Sequence, residues 1–479
     1  MTDILFTHAN HVPSDTKQAR KMQPYPPLSG LYAAALLRAA GHSVAFFDST
    51  FEPPLPGLRS ALARHRPRVL AICEDNFNFL SKMCLTANRQ LAWTMAEMAH
   101  DAGVVVVGNS SDASDHVEEY LHAGFDWVVM GEPEQTLLEL ARALAQNPQQ
   151  VTSIAGLAWL TADGRVARTP PRSAIAALDA LPLPARDLVD IEPYRRAWRA
   201  HHGYFSLNLV ASRGCPYGCN WCAKPIYGNA WHGRSAAAVA GEMHELRTRW
   251  GADQLWFADD VFALRPGWAE ELAQAVQGLQ AVTPFKIQTR ANLISAAASA
   301  ALRRAGCREV WLGAESGAQE VLDRMDKGLR VRQVLEARAA LAAQNIRAGF
   351  FLQFGYPGEG WAEIAATIAL VRTARPDDIG VSVSYPLPGT GFHRQVRGQL
   401  GAKRNWSDSD DLEVMFQATY TSEFYRALRD ALHAEVSLYH RDATAAGAAR
   451  VGMLWQRVEA LEPASRHPQP TTLARTAAG

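Results

Sequence analysis

The sequence predicts an α/β protein with a doubly wound, Rossmann-like domain over residues 1–150, a connector over 151–200, a partial or complete six-stranded α/β barrel over 201–395 and a mainly helical region over 396–479. Three observations predict this order. Short apolar strands alternate with helices before residue 150, the alternation resumes after residue 200, and a Pro-rich stretch lies between the two series. Such alternation is typical of parallel sheets covered by helices. A chain of 479 residues is also too long for one ordinary core.

The first series alternates strands with amphipathic helices. The predicted strands are Ile4–Thr7, Val44–Asp48, Val69–Cys73, Val104–Gly108 and Trp127–Met130, and the predicted helices are Leu28–Ala40, Leu85–Ala102, Glu118–His122 and Glu134–Ala145. Doubly wound sheets bind ligands just beyond the carboxyl ends of their strands. Four polar or glycine-rich stretches stand at such ends: Thr7-His8-Ala9-Asn10, Glu74-Asp75-Asn76, Gly108-Asn109-Ser110-Ser111 and Gly131-Glu132-Pro133-Glu134. No Gly-x-Gly-x-x-Gly motif occurs in this series, which argues against an ordinary dinucleotide site.

The connector contains a predicted hairpin around Ala162-Asp163-Gly164-Arg165 and a Pro-rich stretch from Leu181 to Arg186. The second series then has predicted strands at Phe205–Ala211, Gln254–Ala258, Phe285–Thr289, Glu309–Gly313, Ala348–Gly355 and Gly380–Tyr385, with helices such as Ala236–Trp250, Trp268–Leu279 and Val331–Gln344. Six strands separated by helices predict a barrel, whose chemistry lies at the carboxyl ends of the strands. The end after Ala464 is rich in Pro, Thr and Ala, and we expect it to be disordered.

Composition argues against several classes of partner. The 48 basic residues balance 48 acidic ones, so no general field attracts nucleic acid or an anionic membrane, and no basic stripe with interleaved aromatic residues indicates RNA. The apolar runs are far shorter than the roughly 20 residues of a membrane helix, and the amino terminus lacks the features of a secretion signal. We therefore expect a cytoplasmic protein without a nucleic-acid or membrane partner.

Three of the six cysteines stand alone, and three lie within one short loop. Cys73, in a strand, Cys84, in a predicted helical stretch, and Cys307 are expected to be small buried hydrophobic residues. The other three form a Cys-x3-Cys-x2-Cys run that directly follows the first strand of the second series: Cys215, Cys219 and Cys222.

The spacing of these thiols favours a four-iron cluster over zinc. A structural zinc site normally has four protein ligands, and His232 is the one close candidate for a fourth. Three soft thiolates at short spacing suit an iron-sulfur cluster better. Gly214 and Gly218 permit backbone turns toward a ligand that a β-carbon would obstruct.

The same run, with an aromatic residue before its last cysteine, resembles the signature of radical S-adenosylmethionine (SAM) enzymes. The resemblance implies that Cys215, Cys219 and Cys222 bind three irons of a [4Fe-4S] cluster, and that the fourth iron takes the amino and carboxylate groups of SAM. One electron passed through the cluster then cleaves SAM to give a 5′-deoxyadenosyl radical. It also implies that Trp221 lies near the adenine, and that an external reductant of flavodoxin or ferredoxin type supplies the electron.

Later strand ends resemble the family as well. Phe257–Phe262 resembles its acidic second-strand motif, which implies that Asp259 or Asp260 contacts the SAM amino group or ribose. Adjacent carboxylates on a strand point to opposite sides, so both cannot do this and one is expected to cap the following helix. In Gln288-Thr289-Arg290-Ala291-Asn292 the asparagine replaces the family's usual acid, which leaves Arg290 as the candidate for binding a carboxylate.

The third motif is Gly313-Ala314-Glu315-Ser316-Gly317, which resembles the family's Gly-x-Glu-Ser-Gly. This implies that Glu315 and Ser316 approach SAM and that Gly313 admits it. Gly355-Tyr356-Pro357-Gly358-Glu359 resembles the loop that lines the adenine side, with Gly355 at its start, and Pro386–Thr390 resembles the end of the sixth strand.

The first 150 residues resemble the cobalamin-binding branch of this family. The resemblance rests on three stretches in order along the chain: Pro26-Pro27-Leu28, Gly41-His42-Ser43-Val44 and Gly131-Glu132-Pro133-Glu134. It implies a cobalamin site at the strand ends, with Asn10, Asp75, Gly108, Ser110, Gly131 and Glu132 as contacts. The Asp-x-His-x-x-Gly motif of other cobalamin proteins is absent, so no histidine is expected on cobalt. His42 is expected to be structural, and surface or loop positions are expected for His8, His11 and His116.

The combined resemblance implies a methyltransferase that cleaves SAM reductively and transfers a methyl group from methylcobalamin to an unactivated carbon, or to phosphorus, of a small molecule. A cobalamin-dependent cyclase or oxidoreductase is the first alternative, and a cobalamin-binding sensor is the second. Methylthiotransferases are disfavoured because they normally carry further clustered cysteines. Aromatic residues near the carboxyl terminus wall off an organic substrate or simply pack together: Trp406, Phe416, Tyr420, Phe424 and Tyr425.

Overall fold

A seven-stranded sheet forms the frame of the first half of the computed structural model, which describes residues 2–440 and 443–467. Its strands are β1 (Ile4–Thr7), β2 (Val44–Phe46), β3 (Val69–Cys73), β4 (Val105–Asn109), β5 (Trp127–Val129), β6 (Leu157–Leu160) and β7 (Val166–Arg168). Their order in the described chain is β2-β1-β3-β4-β5-β6-β7, in which β1 to β5 pair in parallel. The central strand β3 is buried along its whole length, as expected of a strand covered on both faces.

The predicted hairpin extends this sheet. β6 pairs antiparallel with β5, and β7 pairs antiparallel with β6. The first sheet therefore continues past residue 150, because the hairpin covers an edge of β5 that would otherwise leave its backbone groups unpaired. The stretch expected to be a connector also contains a regular helix, α9 (Glu192–His202), which begins with Pro at its second position.

Helices cover both faces of the first sheet. They are α1 (Thr16–Lys21), α2 (Leu28–Ala39), α3 (Pro54–His65), α4 (Phe79–Lys82), α5 (Thr86–Asp101), α6 (Ser111–Asp115), α7 (Val117–His122) and α8 (Pro133–Gln146). One core contains apolar residues of α3 and α5, and the other contains those of α2 and α8. Alternation of apolar strands with amphipathic helices therefore correctly predicts the doubly wound domain.

A second sheet of six parallel strands curves into a partial barrel. Its strands are β8 (Ser206–Leu209), β11 (Gln254–Phe257), β12 (Phe285–Thr289), β13 (Cys307–Glu315), β14 (Arg347–Phe354) and β15 (Asp378–Val383), in the described order β15-β14-β13-β12-β11-β8. Within the described residues β8 and β15 are not paired with each other, so the barrel is open on that side. A short antiparallel ribbon of β9 (Ser212–Arg213) and β10 (His232–Gly233) follows β8.

The helices of the barrel and the end region are α10 (Ala236–Thr248), α11 (Trp268–Gly278), α12 (Ala296–Ala305), α13 (Gln319–Arg324), α14 (Val331–Ala343), α15 (Trp361–Ala374), α16 (Gly391–Val396), α17 (Ser422–His440) and α18 (Ala445–Ala464). The mainly helical end region is thus confirmed. The tail expected to be disordered falls largely on residues 468–479, outside the described residues. No helix in the described ranges has the length and apolarity to cross a membrane.

The first domain and the end region together cover the open side of the barrel. The Asp15 carboxylate caps α1 by accepting from the backbone N–H of Gln18, at 3.0 Å, and also accepts from the Ser409 hydroxyl, at 2.8 Å. The Lys17 ammonium donates to the Ser409 carbonyl at 2.7 Å. These bonds hold α1 against the segment before α17 and leave the carboxyl ends of both sheets to meet at one cleft.

Candidate active site

The cysteine loop begins at the ribbon that follows β8. Gly214, between Arg213 and Cys215, has a φ of +81°, and a Cβ added there would lie 2.1 Å from the Ala230 carbonyl oxygen. This position therefore requires glycine, as predicted. Gly218 has no such requirement, since its φ is not in the left-handed region and an added Cβ would meet no atom within 4 Å.

Cys215, Cys219 and Cys222 are partly exposed on this loop, and none of them forms a disulfide. Burial raises the pKa of Cys215, and burial together with the Asp260 carboxylate raises the pKa of Cys222 to about 12. The thiols of Cys215 and Cys222 are therefore neutral without a metal, and binding of iron has to displace their protons. No three acidic, histidine or cysteine side chains of the described residues converge on one ion, but cysteines that bind different irons of a cluster need not converge.

Asn220 anchors the loop to three other elements. Its side-chain amide donates to the Arg324 carbonyl at the end of α13, at 2.7 Å, and its side-chain oxygen accepts from the Tyr356 hydroxyl, at 3.0 Å. Its backbone carbonyl accepts from the N–H of Phe392 in α16, at 2.8 Å. The Lys224 ammonium bonds the carbonyls of Cys215 and Tyr217. The loop is thus held in place by protein contacts alone.

Arg290, predicted to bind a carboxylate, is buried against the cysteine loop. Its guanidinium carbon lies 3.7 Å from the centre of the Tyr217 ring, and one guanidinium nitrogen lies 3.5 Å from the Cys219 sulfur. A second donates to the Lys327 carbonyl, and Nε donates to Asn292 Oδ1 at 3.2 Å. Asn292 thus still accepts a hydrogen bond from Arg290, but it lacks the negative charge of the family's usual acid. This geometry places a positive charge beside a cluster thiolate.

Glu315 and Lys327 form a buried ion pair beside the loop, 2.7 Å from carboxylate oxygen to ammonium. Glu315 has a φ of +59° and lies at an irregularity in the pairing of β13 with β14. Such strain in a non-glycine residue is typical of functional sites. A Cβ at Gly313 would lie 2.8 Å from both charged atoms, and the Lys327 ammonium is 5.8 Å from the Trp221 ring. The structure therefore brings Gly313, Glu315 and Trp221 close to one another.

Asp259 and Asp260 point to opposite sides, and only one of them faces the cleft. Asp259 is buried, and its carboxylate accepts from the Ser212 hydroxyl at 2.5 Å and from the Ala211 N–H at 3.0 Å. Burial raises its pKa to about 7. Asp260 is partly exposed and pairs with Lys82 of α4, in the first domain. Asp259 therefore supports the strand end before the cysteines, and Asp260 is the one available to a ligand.

Two other predicted contacts lie behind the cleft. The Ser316 hydroxyl is fully buried, lies 3.1 Å from the Thr367 hydroxyl of α15 and accepts from the Ala318 N–H at 3.1 Å. These structural bonds occupy the hydroxyl, so its predicted contact with SAM is not supported. Gly355 has a φ of +76°, and an added Cβ would lie 3.2 Å from the Tyr425 ring. Its glycine is needed for the turn after β14 whether or not a ligand is near.

Arg213 joins the cysteine loop to the first domain. This buried guanidinium donates to Glu132 and to Glu134, each at 2.7 Å, at the start of α8. It also lies over the rings of Tyr32 and Phe77, at 5.1 and 5.4 Å. Glu132, predicted to bind cobalamin, also accepts from the Ile175 N–H at 2.6 Å. Each oxygen of Glu132 thus has a protein donor, and its contact with cobalamin stays a prediction.

Most other predicted contacts of the first domain also have structural partners. The Asp75 carboxylate caps α2 by accepting from the Ser29 N–H at 3.2 Å, and the Ser110 hydroxyl caps α6 by accepting from the Ala113 N–H at 2.8 Å. A Cβ on Gly108 would lie 2.8 Å from the Phe125 ring. Packing and capping explain these three positions without a ligand, and their contact with a cofactor stays a prediction.

Asn10 and Gly131 remain at the carboxyl edge of the sheet. Asn10 is partly exposed, and its N–H donates to His8 Nδ1 at 3.2 Å. Gly131 has a φ of +83° and its carbonyl accepts from the Asn109 side chain at 3.0 Å. Buried polar atoms near this edge have no hydrogen-bond partner among the described residues: Thr7 Oγ1, Tyr32 OH, Glu74 Oε2 and Asn76 Oδ1. Because such atoms are costly unless a ligand or water bonds them, the edge fits a large polar cofactor.

The three histidines expected at surface or loop positions lie outside helices and strands, as predicted. His8 is nevertheless buried, and its Nε2 lies 3.0 Å from one oxygen of Asp48. The other Asp48 oxygen accepts from the Tyr194 hydroxyl of α9. Burial lowers the pKa of His8, but Asp48 more than offsets this, so the pKa is raised overall. His11 bonds Ser14 and His116 lies near acidic side chains. None of the three is placed at the cysteine cleft.

Sequence reasoning missed Lys82, Lys327 and Glu134 as site residues. Lys327 and Lys82 lie in loops or short helices without a motif, and only the fold brings them to the acidic residues of the barrel. Cys84 also differs from its prediction, since it lies in the turn before α5 with a φ of +54°, although it is buried like Cys73 and Cys307. Arg213 directly precedes Gly214 and the cysteine run, where its charge was a usable signal.

Comparison with known proteins agrees with this geometry. Residues 209–371 match the family model described as the Radical SAM superfamily. An uncharacterized methyltransferase of Pyrococcus horikoshii is 26% identical over 407 residues, which cover 83% of this chain and 84% of the relative. An anaerobic magnesium-protoporphyrin IX monomethyl ester cyclase of Synechocystis is 25% identical over 330 residues, which cover 67% of this chain and 63% of the cyclase.

Among solved structures, the fold is similar to the radical S-adenosylmethionine methyltransferase TsrM of Kitasatospora setae, whose structure contains cobalamin and a [4Fe-4S] cluster. The TM-score is 0.69 at 19% identity, over 83% of this chain and 75% of TsrM. The similarity covers both sheets rather than the barrel alone. The chain therefore contains a radical SAM domain, and its fold over both sheets is similar to that of a cobalamin-binding radical SAM methyltransferase.

Proposed function

We propose that the protein is a cobalamin-dependent radical SAM methyltransferase acting on a small molecule. The observation that carries the proposal is the position of the cysteine loop against the carboxyl edge of the first sheet, fixed by Arg213 with Glu132 and Glu134. When bound, the cluster and SAM supply a carbon-centred radical and cobalamin supplies the methyl group. The protein juxtaposes the two and keeps water out.

The residues of the cleft fit these cofactors. Cys215, Cys219 and Cys222 supply soft thiolates for the cluster, and Arg290 places a positive charge beside Cys219. The carboxylates of Glu315 and Asp260 can accept hydrogen bonds from an amino group or a ribose hydroxyl. In this structure each of them is paired with a lysine. The unpartnered polar atoms at the edge of the first sheet would bond cobalamin. We expect no histidine to bind cobalt.

The electron needed for SAM cleavage has to come from outside the chain. We propose an external reductant of flavodoxin or ferredoxin type, and a cytoplasmic location, where cysteines such as these stay reduced. The test is anaerobic incubation of the cluster-loaded protein with SAM and reduced flavodoxin, with 5′-deoxyadenosine measured by chromatography. The proposal predicts 5′-deoxyadenosine from the native chain and none from a variant with all three cysteines changed to alanine. Absence of SAM cleavage in the cluster-loaded native chain would favour a sensor.

A cyclase is the second candidate, and it is favoured by the similarity to the Synechocystis cyclase over 67% of this chain. The mass of the product distinguishes the two. A methyltransferase adds one methyl group that carries deuterium when the reaction uses SAM labelled in its methyl group. A cyclase gives a product that contains no deuterium.

A further inference from the structure

The inner face of the barrel has glycines at positions that side chains usually fill. Along β12 to β15, outward and inward side chains alternate, and the outward ones are large apolar residues that pack against the helices: Phe285 and Ile287, Val310 and Leu312, Phe350 and Leu352, Ile379 and Val381. The inward positions include Gly313, Gly349 and Gly380. Barrels of this kind are usually filled by branched apolar side chains, whereas here the glycines make room for larger inward side chains beside them.

Two aromatic rings lie flat over these glycines. A Cβ at Gly349 would lie 2.6 Å from the Trp311 indole, and a Cβ at Gly380 would lie 3.1 Å from the Phe351 ring and 3.5 Å from the indole. The two rings are stacked, with centres 4.9 Å apart and planes 28° apart. Phe351 keeps 37% of its surface exposed although it lies in the middle of a strand of the sheet. We call Trp311 and Phe351 the aromatic shelf, whose exposed surface can stack a flat ring.

The shelf lies just below the cleft. Trp311 precedes Gly313 by two residues on the same face of β13, which is roughly 7 Å along a strand. Gly313 lies directly beside the Glu315–Lys327 pair. The indole N–H donates to Glu309 at 2.7 Å and fixes the ring. A molecule stacked on the shelf would therefore extend toward the place where SAM is expected.

Lys286 supplies a positive charge at the base of the same space. Its ammonium lies 5.7 to 5.8 Å from the ring centres of Tyr25, Trp198 and Trp256, and makes no hydrogen bond or ion pair within the described residues. Desolvation lowers its pKa, and the neighbouring Glu309 is already paired with Arg347, at 3.4 Å. An ammonium has three donors, which need acceptors when water is scarce.

The ammonium of Lys286 is thus a buried positive charge that lies among three aromatic rings at the base of the barrel. The wall above it is formed by the aromatic shelf.

We infer that the barrel binds a flat, unsaturated substrate with an anionic group, its ring system stacked on Trp311 and Phe351 and its anion bonded by Lys286. This inference rests on the proposed function and narrows it to planar organic anions. The stacked ring would lie near the mouth of the barrel, where the radical forms. The charge of Lys286 would select against neutral analogues, and the aromatic shelf would select against non-planar ones.

Three probes with the same carbon skeleton test this inference: 2-naphthoate, which is flat and charged, its neutral amide 2-naphthamide, and the saturated, non-planar decahydro-2-naphthoate. Binding to the cluster-loaded full chain in the presence of SAM is measured by equilibrium dialysis. We expect 2-naphthoate to bind several-fold more tightly than either analogue, because only it offers both the flat ring and the charge. Phe351→Ala should weaken 2-naphthoate about tenfold through loss of stacking. Lys286→Met should abolish the preference over the amide, and Lys286→Arg should retain it.

Matched controls are Leu279→Ala, an exposed apolar residue after α11, and Lys403→Met, in the end region. Both should bind 2-naphthoate as the native chain does. Equal binding of all three probes, or 2-naphthoate binding unchanged in both Phe351→Ala and Lys286→Met, would overturn the inference. Formation of 5′-deoxyadenosine is measured in the same samples. If SAM is cleaved and the probes do not bind selectively, the barrel inference fails alone; if the probes bind selectively and SAM is not cleaved, the proposed function fails alone.

Discussion

Gly214 and its immediate neighbours determine the path of the cysteine loop. A methyl group at this position would lie 2.1 Å from the Ala230 carbonyl oxygen, and the φ of +81° is itself unfavourable for alanine. We expect Gly214→Ala to lose more than half of its iron after anaerobic reconstitution, measured by a colorimetric iron assay. Gly241→Ala in α10 is the control, since its added Cβ meets no atom within 4 Å and alanine favours a helix. Equal iron in both variants would show that the loop tolerates a different path.

Substitution of the two aspartates after β11 should have different effects on stability and on SAM binding. Asp259→Asn removes one of the two acceptors used by Ser212 and Ala211, so it should lower the free energy of unfolding by about 1–3 kcal/mol. Asp260→Asn should leave thermal stability nearly unchanged and weaken SAM binding about tenfold through loss of a charge-assisted hydrogen bond. Thermal unfolding and equilibrium dialysis with SAM measure the two effects. If only Asp259→Asn lost SAM binding, Asp259 rather than Asp260 would be the residue that contacts SAM.

Glu359 should make stability depend on pH. It is fully buried after β14, one of its oxygens has no partner, and burial raises its pKa to about 8. A carboxyl with a raised pKa stabilises the fold below its unfolded pKa of about 4.3 and loses that contribution as pH rises toward 8, at ~1.4 kcal/mol per unit. We therefore expect the unfolding temperature of the native chain to fall more than that of Glu359→Gln between pH 5 and pH 8. Parallel curves for the two proteins would exclude Glu359 as the cause.

The sequence predicts residues well where a motif fixes their place and poorly where a partner comes from elsewhere. Gly214, Glu315 and the cysteines lie where their motifs indicate. Lys327 and Lys82 were not predicted because nothing in the local pattern shows that their chains fold back onto Glu315 and Asp260. The strand-end residues Asp75, Gly108 and Ser110 show why such positions are ambiguous, since capping and packing require the same residue types as ligand binding.

At the scale of elements, the start of α8 and the ribbon that carries the cysteines are joined by one buried arginine. Removing Arg213 leaves the Glu132 and Glu134 carboxylates buried without their partner, a change that typically costs about 3–5 kcal/mol. We expect Arg213→Met to lower the urea midpoint substantially and to expose the connector to proteolysis. Glu271→Gln breaks an exposed pair with Arg265 and should change the unfolding free energy by less than about 1 kcal/mol. Similar urea midpoints for both variants would show that Arg213 does not join the domains.

The bounds of the strands named from the sequence were predicted closely from the spacing of their hydrophobic residues. β1, β3 and β12 have the predicted bounds, and most others differ by a few residues. The hairpin β6–β7 was predicted, but its addition to the first sheet was not, because pairing with β5 depends on which edge is free. Helix α9 was missed for a similar reason. Its strongly polar composition is typical of a linker, and only the fold shows that Tyr194 and Trp198 are buried against the neighbouring domains.

At the scale of the whole molecule, the carboxyl edges of two parallel sheets meet at one cleft. Lys82 with Asp260 and Arg213 with Glu132 and Glu134 cross that cleft, so each sheet supplies part of the site. The alternation of strands and helices predicts both sheets, but their mutual orientation depends on side chains far apart in the chain. A cluster loop on one edge and unpartnered polar atoms on the other together support two cofactors acting on one substrate.

The metal content of the purified chain tests this account most directly. The protein is produced anaerobically with cobalamin, and iron and cobalt per chain are measured for the native sequence and for the variant with Cys215, Cys219 and Cys222 changed to alanine. The account predicts about four irons and about one cobalt in the native chain, and loss of the iron with retention of the cobalt in the variant. A native chain that contains iron without cobalt, or neither metal, would contradict it.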